Sequence, residues 1–300
     1  MIEDAAENDA ELIIFPECAL TGYCLSSLEE ARTVSEPISG PSIQRIRSAC
    51  RELKTHVIFG FLESDDGKIY NSLVFLGPEG LIGRYRKIHL PYLGVDRFIS
   101  LGNEPFRVYD SKVGKIGMNI CYDISFPESS RILALEGAEL IVLSTNWPIG
   151  AEYYSKYVAP TRAAENRVNY AAINRVGSER AFKFCGLSKI VDCSGNSLAE
   201  ASRSREEIIF AEVDLAKARS KVSINNPDEI VSVAHKGSAT ICHQVWPELY
   251  PCLAGDKFYH LALNLFGIVF PNLKDYCFIL PGKDISIAVS GSNNYVGLGS

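Results

Sequence analysis

The sequence lacks the patterns that mark membrane-spanning segments and zinc sites. A membrane helix needs about 20 consecutive apolar residues, and the longest candidate, Phe258–Phe270, contains a histidine and an asparagine and stops at Pro271. None of the nine cysteines is spaced Cys-x-x-Cys, and the five histidines include no His-x-x-x-His pair. We therefore predict no membrane partner and no metal site, because zinc ligands usually occur at such spacings.

A surplus of basic residues is also missing. Thirty lysines and arginines stand against thirty-six aspartates and glutamates, which gives a net charge of −6 at pH 7. Binding to nucleic acid usually needs a basic face, so we expect no nucleic-acid partner. The N-terminal segment MIEDAAENDAE is acidic and has no apolar h-region, so no signal peptide is predicted. We accordingly expect a cytoplasmic protein whose cysteines are thiols.

The overall composition is that of a globular protein. Hydrophobic residues make up 47% of the sequence and charged residues 22%, and these ordinary values exclude a disordered or collagen-like chain. Three hundred residues can form one large domain or two ordinary ones. A chain of this length buries enough surface to fold without disulfides or a metal.

Short apolar runs alternate with helical patterns between residues 11 and 214. Strands are predicted where β-branched and aromatic residues cluster, and helices where apolar residues recur at helical spacing. The predicted strands are ELIIF before Glu17, His56–Leu62, Tyr70–Leu76, Leu81–Arg86, Phe106–Tyr109, Lys115–Ile120, Leu140–Leu143, Tyr170–Asn174, Phe182–Val191 and Glu207–Asp214, and the predicted helices are the first ten residues, Ser42–Lys54, Pro127–Glu136 and Ser155–Asn169. This alternation predicts an α/β fold, and the hairpins predict mixed rather than purely parallel sheets.

The pattern changes after about residue 224. Asn225-Asn226-Pro227 interrupts it, and the sequence beyond contains four further prolines and finishes in glycine, serine and asparagine. We therefore predict one domain over residues 1–224 and an atypical C-terminal tail over residues 225–300.

Three chemically useful side chains follow predicted strands. Glu17 comes directly after an apolar strand, and Lys87 directly follows the strand predicted over Leu81–Arg86. Cys121 follows KIGMNI at a strand-to-helix turn. In α/β folds, sites form where strands end. A thiol needs a base to become the attacking thiolate, and a fixed cation can stabilise the negative charge that the attacked group develops. Together the three residues suit nucleophilic catalysis, whereas each alone is more often structural.

The local strings around these residues are more specific. FPECALTGY, YRKIHLP and NICYDISFPE are similar to the three signatures of the nitrilase, or carbon–nitrogen hydrolase, superfamily, and they occur in the family's order. A downstream stretch from LSTNWP to SGNSLAEA resembles the family too, so the likeness extends from Glu11 to Lys221. The resemblance implies a four-layer α-β-β-α sandwich with two mixed sheets.

The resemblance also implies a catalytic set and a reaction. Glu17 would be the general base, Lys87 the oxyanion cation and Cys121 the nucleophile, and the backbone N–H of Tyr122 would complete the oxyanion site. A small-molecule amide or nitrile would form a thioester on Cys121 with loss of ammonia or an amine, and water would hydrolyse it. No metal or organic cofactor is implied, and we expect a homodimer or a higher homo-oligomer.

Further site residues follow from the same resemblance. Many members carry a second glutamate in the loop after the lysine, and that register falls here on Gly94 or Asp96. Asn146 and Trp147 stand where the family lines its substrate pocket, although a turn and a core aromatic residue fit them equally well. Glu128 either anchors the turn after the cysteine or occupies the first turn of the next helix, where acids are favoured.

The beginning of the sequence departs from the family pattern. Members usually start with an apolar strand and a full helix before the FPE motif, whereas this sequence starts inside that helix. A missing central strand would leave backbone groups of its neighbours unpaired. We therefore expect poor solubility or weak activity unless another segment takes that place, and Ile285–Ser290 is the best strand in the tail.

Two alternative functions stay open. The first is a catalytically silent protein of this fold that acts as an interaction module, and the complete set of three residues weighs against it. The second is a thiol redox protein that uses Cys121, and the absence of a Cys-x-x-Cys motif weighs against that one. Release of ammonia from an amide or nitrile separates both alternatives from a hydrolase.

Overall fold

The structure is a computed structural model that describes residues 1–220, 222–226, 229–232 and 284–290. The chain divides into two compact units, Met1–Arg219 together with Lys283–Ser300, and Ser220–Gly282. The described strands in chain order are β1 (Leu12–Ile14), β2 (His56–Asp65), β3 (Lys68–Gly77), β4 (Gly80–Arg86), β5 (Val108–Ser111), β6 (Gly114–Ile120), β7 (Leu140–Thr145), β8 (Asn169–Asn174), β9 (Ser178–Glu179), β10 (Phe182–Lys183), β11 (Lys189–Val191), β12 (Ser197–Glu200), β13 (Ile208–Asp214), β14 (Val222–Asn226), β15 (Glu229–Ser232) and β16 (Asp284–Ser290). The described α-helices are α1 (Ile2–Glu7), α2 (Leu28–Val34), α3 (Pro41–Leu53), α4 (Pro127–Leu135), α5 (Ala159–Asn166) and α6 (Leu215–Ser220).

Two six-stranded sheets form most of the first unit. The first sheet has the strand order β13-β16-β1-β2-β3-β4, and the second has the order β12-β11-β8-β7-β6-β5. Both sheets are mixed, because β1 pairs with β2 in parallel and β6, β7 and β8 are parallel, while β2-β3-β4 and β5-β6 pair antiparallel. The predicted α/β class with two mixed sheets is confirmed.

The core lies between these two sheets. Strand β7 is buried along its whole length, as expected of a strand that is covered on both faces. Leu12 and Phe75 of the first sheet belong to the same apolar cluster as Met118 and Leu143 of the second. The two sheets therefore pack face to face.

Helices cover the outer faces of the sheets. Helix α3 has Pro41 in its first turn, where the missing N–H of proline costs nothing, and it buries Ile43 against Val57 of the first sheet. On the second sheet, α4 contributes Leu133 and α5 contributes Ala163 to the core. These layers form the four-layer α-β-β-α sandwich that the resemblance implied. Among the helices of the described residues, none is both long and apolar enough to cross a membrane.

Strand β16 lies between β13 and β1 in the first sheet. It runs parallel to β1, with Leu12 opposite Ile287, and antiparallel to β13, with Val213 opposite Ile285. Ile285 and Ile287 point into the core between the sheets, and Ala288 belongs to the cluster under the helices. Ile285–Ser290, the best strand predicted in the tail, therefore lies beside the first strand of this sheet.

The second unit contains the antiparallel pair β14-β15 among its described residues. The remainder of the predicted tail lies outside the described residues, namely residues 227–228, 233–283 and 291–300. The division of the chain at residue 224 stays a prediction.

The predicted single strand Phe182–Val191 is wrong. The structure has β10 and β11 instead, with a connection that turns at Gly186 and Leu187, whose φ angles are 61° and 60°. Left-handed backbone cannot continue a strand. The N–H of Gly186 donates to the carbonyl of Arg175, 3.1 Å away, rather than to a sheet neighbour.

Two helical predictions also need correction. The helix predicted over Ser155–Asn169 begins as a π-helical turn over Tyr154–Val158 and ends at Asn166, because Arg167 has a φ of 48° and reverses the chain. Helix α2 was not predicted at all. Its start has a clear local cause, because the Ser27 hydroxyl accepts a hydrogen bond from the Glu30 N–H, as N-cap serines do.

Candidate active site

The three predicted catalytic side chains lie where strands end. Lys87 directly follows β4, Cys121 directly follows β6, and Glu17 lies shortly after β1. Strands β1 and β4 belong to the first sheet and β6 to the second, so both layers contribute to one site. The structure brings Glu17 and Lys87 into direct contact, and the charges of both act on the Cys121 thiol.

A glycine of β2 permits the position of the Glu17 segment. Leu20 donates its N–H to the carbonyl of Gly60 at 3.2 Å, so the segment lies directly against this strand. A Cβ atom at residue 60 would lie 2.4 Å from the nitrogen of Cys18 and 2.8 Å from the Cα of Glu17. Any side chain there would push Glu17 away from the site.

Glu17, Lys87 and Asp96 form a buried ionic group. The Lys87 ammonium nitrogen lies 2.7 Å from Glu17 Oε1 and 2.6 Å from Asp96 Oδ2, and all three side chains are buried. One cation therefore stands between two carboxylates, with a formal charge of −1 for the group when all three are ionised. Of the two positions that the sequence left open, Asp96 is the one that contacts the lysine.

The burial of this group changes its protonation. Desolvation raises the pKa of Glu17 above its ordinary value, although Lys87 opposes the rise. Desolvation acts to lower the pKa of Lys87, but Asp96 and Glu17 outweigh it and raise that pKa well above its ordinary value. Lys87 therefore stays a cation, while Glu17 becomes a stronger base than an exposed glutamate.

Asn71 and Tyr23 hold the two carboxylates in place. The Asn71 amide nitrogen donates to Glu17 Oε1 at 2.7 Å and to Asp96 Oδ1 at 3.0 Å. The Tyr23 hydroxyl donates to Asp96 Oδ2 at 3.0 Å. The other oxygen of Glu17, Oε2, is buried and has no hydrogen-bond partner among the described residues, so it is the oxygen that can accept a proton.

Cys121 occupies a strained turn. Its φ angle is 45°, a left-handed value that is uncommon for a residue other than glycine. Burial raises the pKa of its thiol to about 12, and the Glu17 carboxylate adds to this rise, while Lys87, the Thr145 hydroxyl and the Asn146 N–H oppose it. The thiol is therefore neutral near pH 7 and needs a base to react.

Asp123 fixes the turn that carries Cys121. Its carboxylate accepts hydrogen bonds from the Ile120 N–H at 2.8 Å and from the Tyr85 hydroxyl at 2.7 Å. The same carboxylate lies 2.7 Å from Nδ1 of His89, whose ring stacks on Phe126 with ring centres 3.8 Å apart. The short turn between β6 and α4 is thus held to β4 and to the segment that follows it.

Asn146 and Trp147 are both buried beside the site. The Asn146 amide donates to the backbone carbonyl of Glu17 at 2.9 Å, so this side chain supports the Glu17 segment. Trp147 is 2% exposed, and its ring stacks on Tyr154 at 5.3 Å between ring centres. Their assignment to substrate binding stays a prediction.

Of the remaining predicted residues, Tyr122 and Glu128 are exposed and Gly94 is buried. Tyr122 is 37% exposed, and its ring meets Phe126 edge-on. Glu128 is exposed in the first turn of α4. This is the alternative to anchoring the turn after the cysteine that the sequence left open. Gly94 has a φ of 51°, and a Cβ atom there would lie 2.4 Å from the Tyr23 ring, so this glycine lets the loop that carries Asp96 approach the site.

Sequence reasoning missed Tyr23, Asn71 and Asp123 as members of the site. Tyr23 ends the FPECALTGY string and Asp123 lies inside NICYDISFPE. Both therefore belong to the family strings, but no role was assigned to either. Asn71 gave one signal, because it is a polar residue inside the apolar strand β3. Its contact with Glu17 spans 54 residues of sequence, which no local pattern reveals.

Comparison with known proteins places the chain in a family. The model of the family described as carbon-nitrogen hydrolase matches residues 1–221. A nitrilase from Pyrococcus abyssi is 38% identical over 231 residues, which cover 77% of this chain and 86% of that protein. An (R)-stereoselective amidase from a Pseudomonas species is 34% identical, covering 70% of this chain and 76% of that protein.

A solved structure agrees with this placement. Saccharomyces cerevisiae Nit3, a member of the nitrilase superfamily, superposes with a TM-score of 0.62 at 27% identity, covering 68% of this chain and 78% of that one. The chain belongs to the carbon–nitrogen hydrolase family of the nitrilase superfamily, and it is an enzyme that hydrolyses carbon–nitrogen bonds.

Proposed function

We propose that the enzyme hydrolyses a small-molecule amide or nitrile through a thioester on Cys121. One observation carries this proposal. The buried carboxylate of Glu17 contacts the fixed cation Lys87 through Oε1, and its Oε2 has no hydrogen-bond partner among the described residues. The charge of this carboxylate also acts on the Cys121 thiol. A base, an anion-stabilising cation and a thiol in one buried place are the components of nucleophilic acyl transfer.

Acylation begins with proton transfer. Glu17 Oε2 accepts the proton of the Cys121 thiol, and the sulfur attacks the carbonyl carbon of an amide. The carbonyl oxygen takes up the electron pair of the broken π bond, and Lys87 and the Tyr122 N–H stabilise the oxyanion that results. Protonated Glu17 then gives its proton to the leaving nitrogen, so the carbon–nitrogen bond breaks and ammonia or an amine leaves.

Deacylation repeats these roles with water. Glu17 accepts a proton from the water as it attacks the thioester, a second oxyanion forms, and the carbon–sulfur bond breaks. The carboxylic acid leaves, and the thiolate of Cys121 regains the proton from Glu17. The raised pKa of Glu17 suits both directions of transfer, because a general acid and base works best when its pKa lies near the operating pH.

Asp96, Asn71 and Tyr23 serve this reaction indirectly. Asp96 accepts a hydrogen bond from Lys87 at 2.6 Å, Asn71 donates to Glu17 at 2.7 Å, and Tyr23 donates to Asp96 at 3.0 Å. Because the ionic group is closed to solvent, its members need this support to keep one geometry. A cytoplasmic location and a homodimer stay predictions of the sequence.

The proposal is tested by ammonia release from a panel of aliphatic amides, aromatic amides and nitriles. We expect release from at least one class, and its loss in Cys121→Ala. Cys50→Ala is the matched control, since Cys50 is also a buried thiol and lies in α3, and it should keep the activity. Equal activity of Cys121→Ala and the wild type would refute the proposal, and the silent alternative predicts no release by either.

A further inference from the structure

The residue opposite Cys121 in the second sheet carries a hydroxyl group. Strands β6 and β7 are parallel, and their last pair in register is Ile120 with Ser144. The next residues along the two strands are Cys121 and Thr145. Thr145 is therefore adjacent to the nucleophile proposed above, although the two are 24 positions apart in the sequence.

The surroundings of Thr145 leave its hydroxyl available. Thr145 is fully buried, and its oxygen makes no hydrogen bond to a nitrogen or another oxygen among the described residues. The residues before and after Thr145 use their side chains elsewhere, since the Ser144 hydroxyl donates to the Phe15 carbonyl at 2.7 Å and the Asn146 amide donates to the Glu17 carbonyl at 2.9 Å. The Thr145 hydroxyl therefore has the neighbouring Cys121 thiol as the group on which it acts.

We propose that Thr145 is a further catalytic residue, whose hydroxyl donates a hydrogen bond to the sulfur of Cys121 when that sulfur carries negative charge. The inference rests on the proposed role of Cys121 as the nucleophile. Its physical basis is that a thiolate in a buried place needs hydrogen-bond donors, because no water solvates it. Thr145 and the Asn146 N–H both lower the pKa of the Cys121 thiol, which is the effect expected of such donors.

This assignment has a consequence for both halves of the reaction. In acylation, the donor stabilises the thiolate that forms as Glu17 takes the proton. In deacylation, the same thiolate is the leaving group when water attacks the thioester, so the donor lowers that barrier too. Thr145 therefore stabilises the sulfur before it attacks and after it leaves, whereas Lys87 and the Tyr122 N–H stabilise the oxyanion that exists between these states.

The test compares Thr145→Val with Thr145→Ser. Valine keeps the shape of threonine and removes the hydroxyl, whereas serine keeps the hydroxyl. Iodoacetamide alkylates the thiolate, so the rate of Cys121 alkylation reports the amount of thiolate directly and needs no turnover. Peptide mass spectrometry follows this rate from pH 6 to pH 10. We expect Thr145→Val to lower this rate by about tenfold at a fixed pH and Thr145→Ser to stay within about twofold of the wild type.

Thr55→Val is the matched control. Thr55 is also buried, and its hydroxyl donates to the Ala10 carbonyl at 2.7 Å. It directly precedes β2, which runs parallel to β1. Thr55 therefore lies at one end of these strands, and Glu17 lies at the other. It should leave the alkylation profile unchanged. An unchanged profile in Thr145→Val, or an equal loss in Thr145→Ser, would overturn the inference. If valine prevents folding, Thr145→Ala against Thr145→Ser decides it in the same assay.

These outcomes separate the inference from the proposed function. A thiol that alkylates normally in Thr145→Val, in an enzyme that still releases ammonia, contradicts only the role of Thr145. An enzyme that releases no ammonia from any substrate contradicts the proposed function, whatever the alkylation profile shows.

Discussion

Removing one side chain from β16 should weaken the sheet that carries Glu17. Ile287 is fully buried, lies opposite Leu12 of β1 and opposite Ala211 of β13, and points into the core between the sheets. Isoleucine-to-alanine changes in such positions cost about 2–5 kcal/mol of unfolding free energy. Since domains are stable by only about 5–15 kcal/mol, Ile287→Ala should remove a large part of the margin.

The expected shift can be measured by thermal unfolding. For a unit of this size, about 2–4 °C of Tm are lost for each kcal/mol, so the midpoint should fall by about 4–20 °C. Ser286→Ala is the matched control, because Ser286 is the next residue on the strand and is only half-buried. It should lower the midpoint far less. Equal midpoints for the two variants would show that β16 does not pair within this sheet.

The same variant should affect catalysis through β1. Because β16 pairs along the whole of β1, and Glu17 follows that strand, a loosened sheet should lower ammonia release at temperatures well below the melting midpoint. Unaltered release by Ile287→Ala, together with a lowered midpoint, would mean that the position of Glu17 does not depend on β16.

Two further predictions concern the ionic group. Glu17→Gln removes the base and Lys87→Met removes the oxyanion donor, so each should lower kcat/KM by roughly 10²-fold or more. Near-normal kinetics in either variant would show that the residue has only a structural role. As the pH falls, protonation of Glu17 removes the base, so kcat/KM should decrease. The midpoint of this decrease should lie above pH 4.5, the ordinary pKa of a glutamate, because burial raises the pKa of Glu17. A midpoint at or below that pH would contradict this assignment.

The sequence predicted best what local patterns determine. The strands before Glu17, Lys87 and Cys121 were recognisable because each is an apolar run, and the family strings gave the three residues their roles. The strand at Ile285–Ser290 was recognisable for the same reason. Contacts between distant segments were beyond such patterns.

Two kinds of error follow from this limit. The strand predicted over Phe182–Val191 ignored the left-handed backbone at Gly186 and Leu187, which is set by hydrogen bonds to other segments. Asn71 was passed over because its value lies in bridging Glu17 and Asp96, and that bridge exists only once β1, β3 and the loop after β4 have come together. Periodicity reports which face of a strand is buried, but not which polar groups will meet there.

The central claim is that the acyl group of the substrate is carried by Cys121. A slowly hydrolysed amide should add one acyl mass to the intact protein within the first turnover, and peptide mapping should place that mass on Cys121. Cys18 is the critical comparison, because it is also a buried thiol and is adjacent to Glu17. We predict an adduct on Cys121 that is absent from Cys121→Ala, whereas an adduct that maps to Cys18, or that persists in Cys121→Ala, would contradict the mechanism.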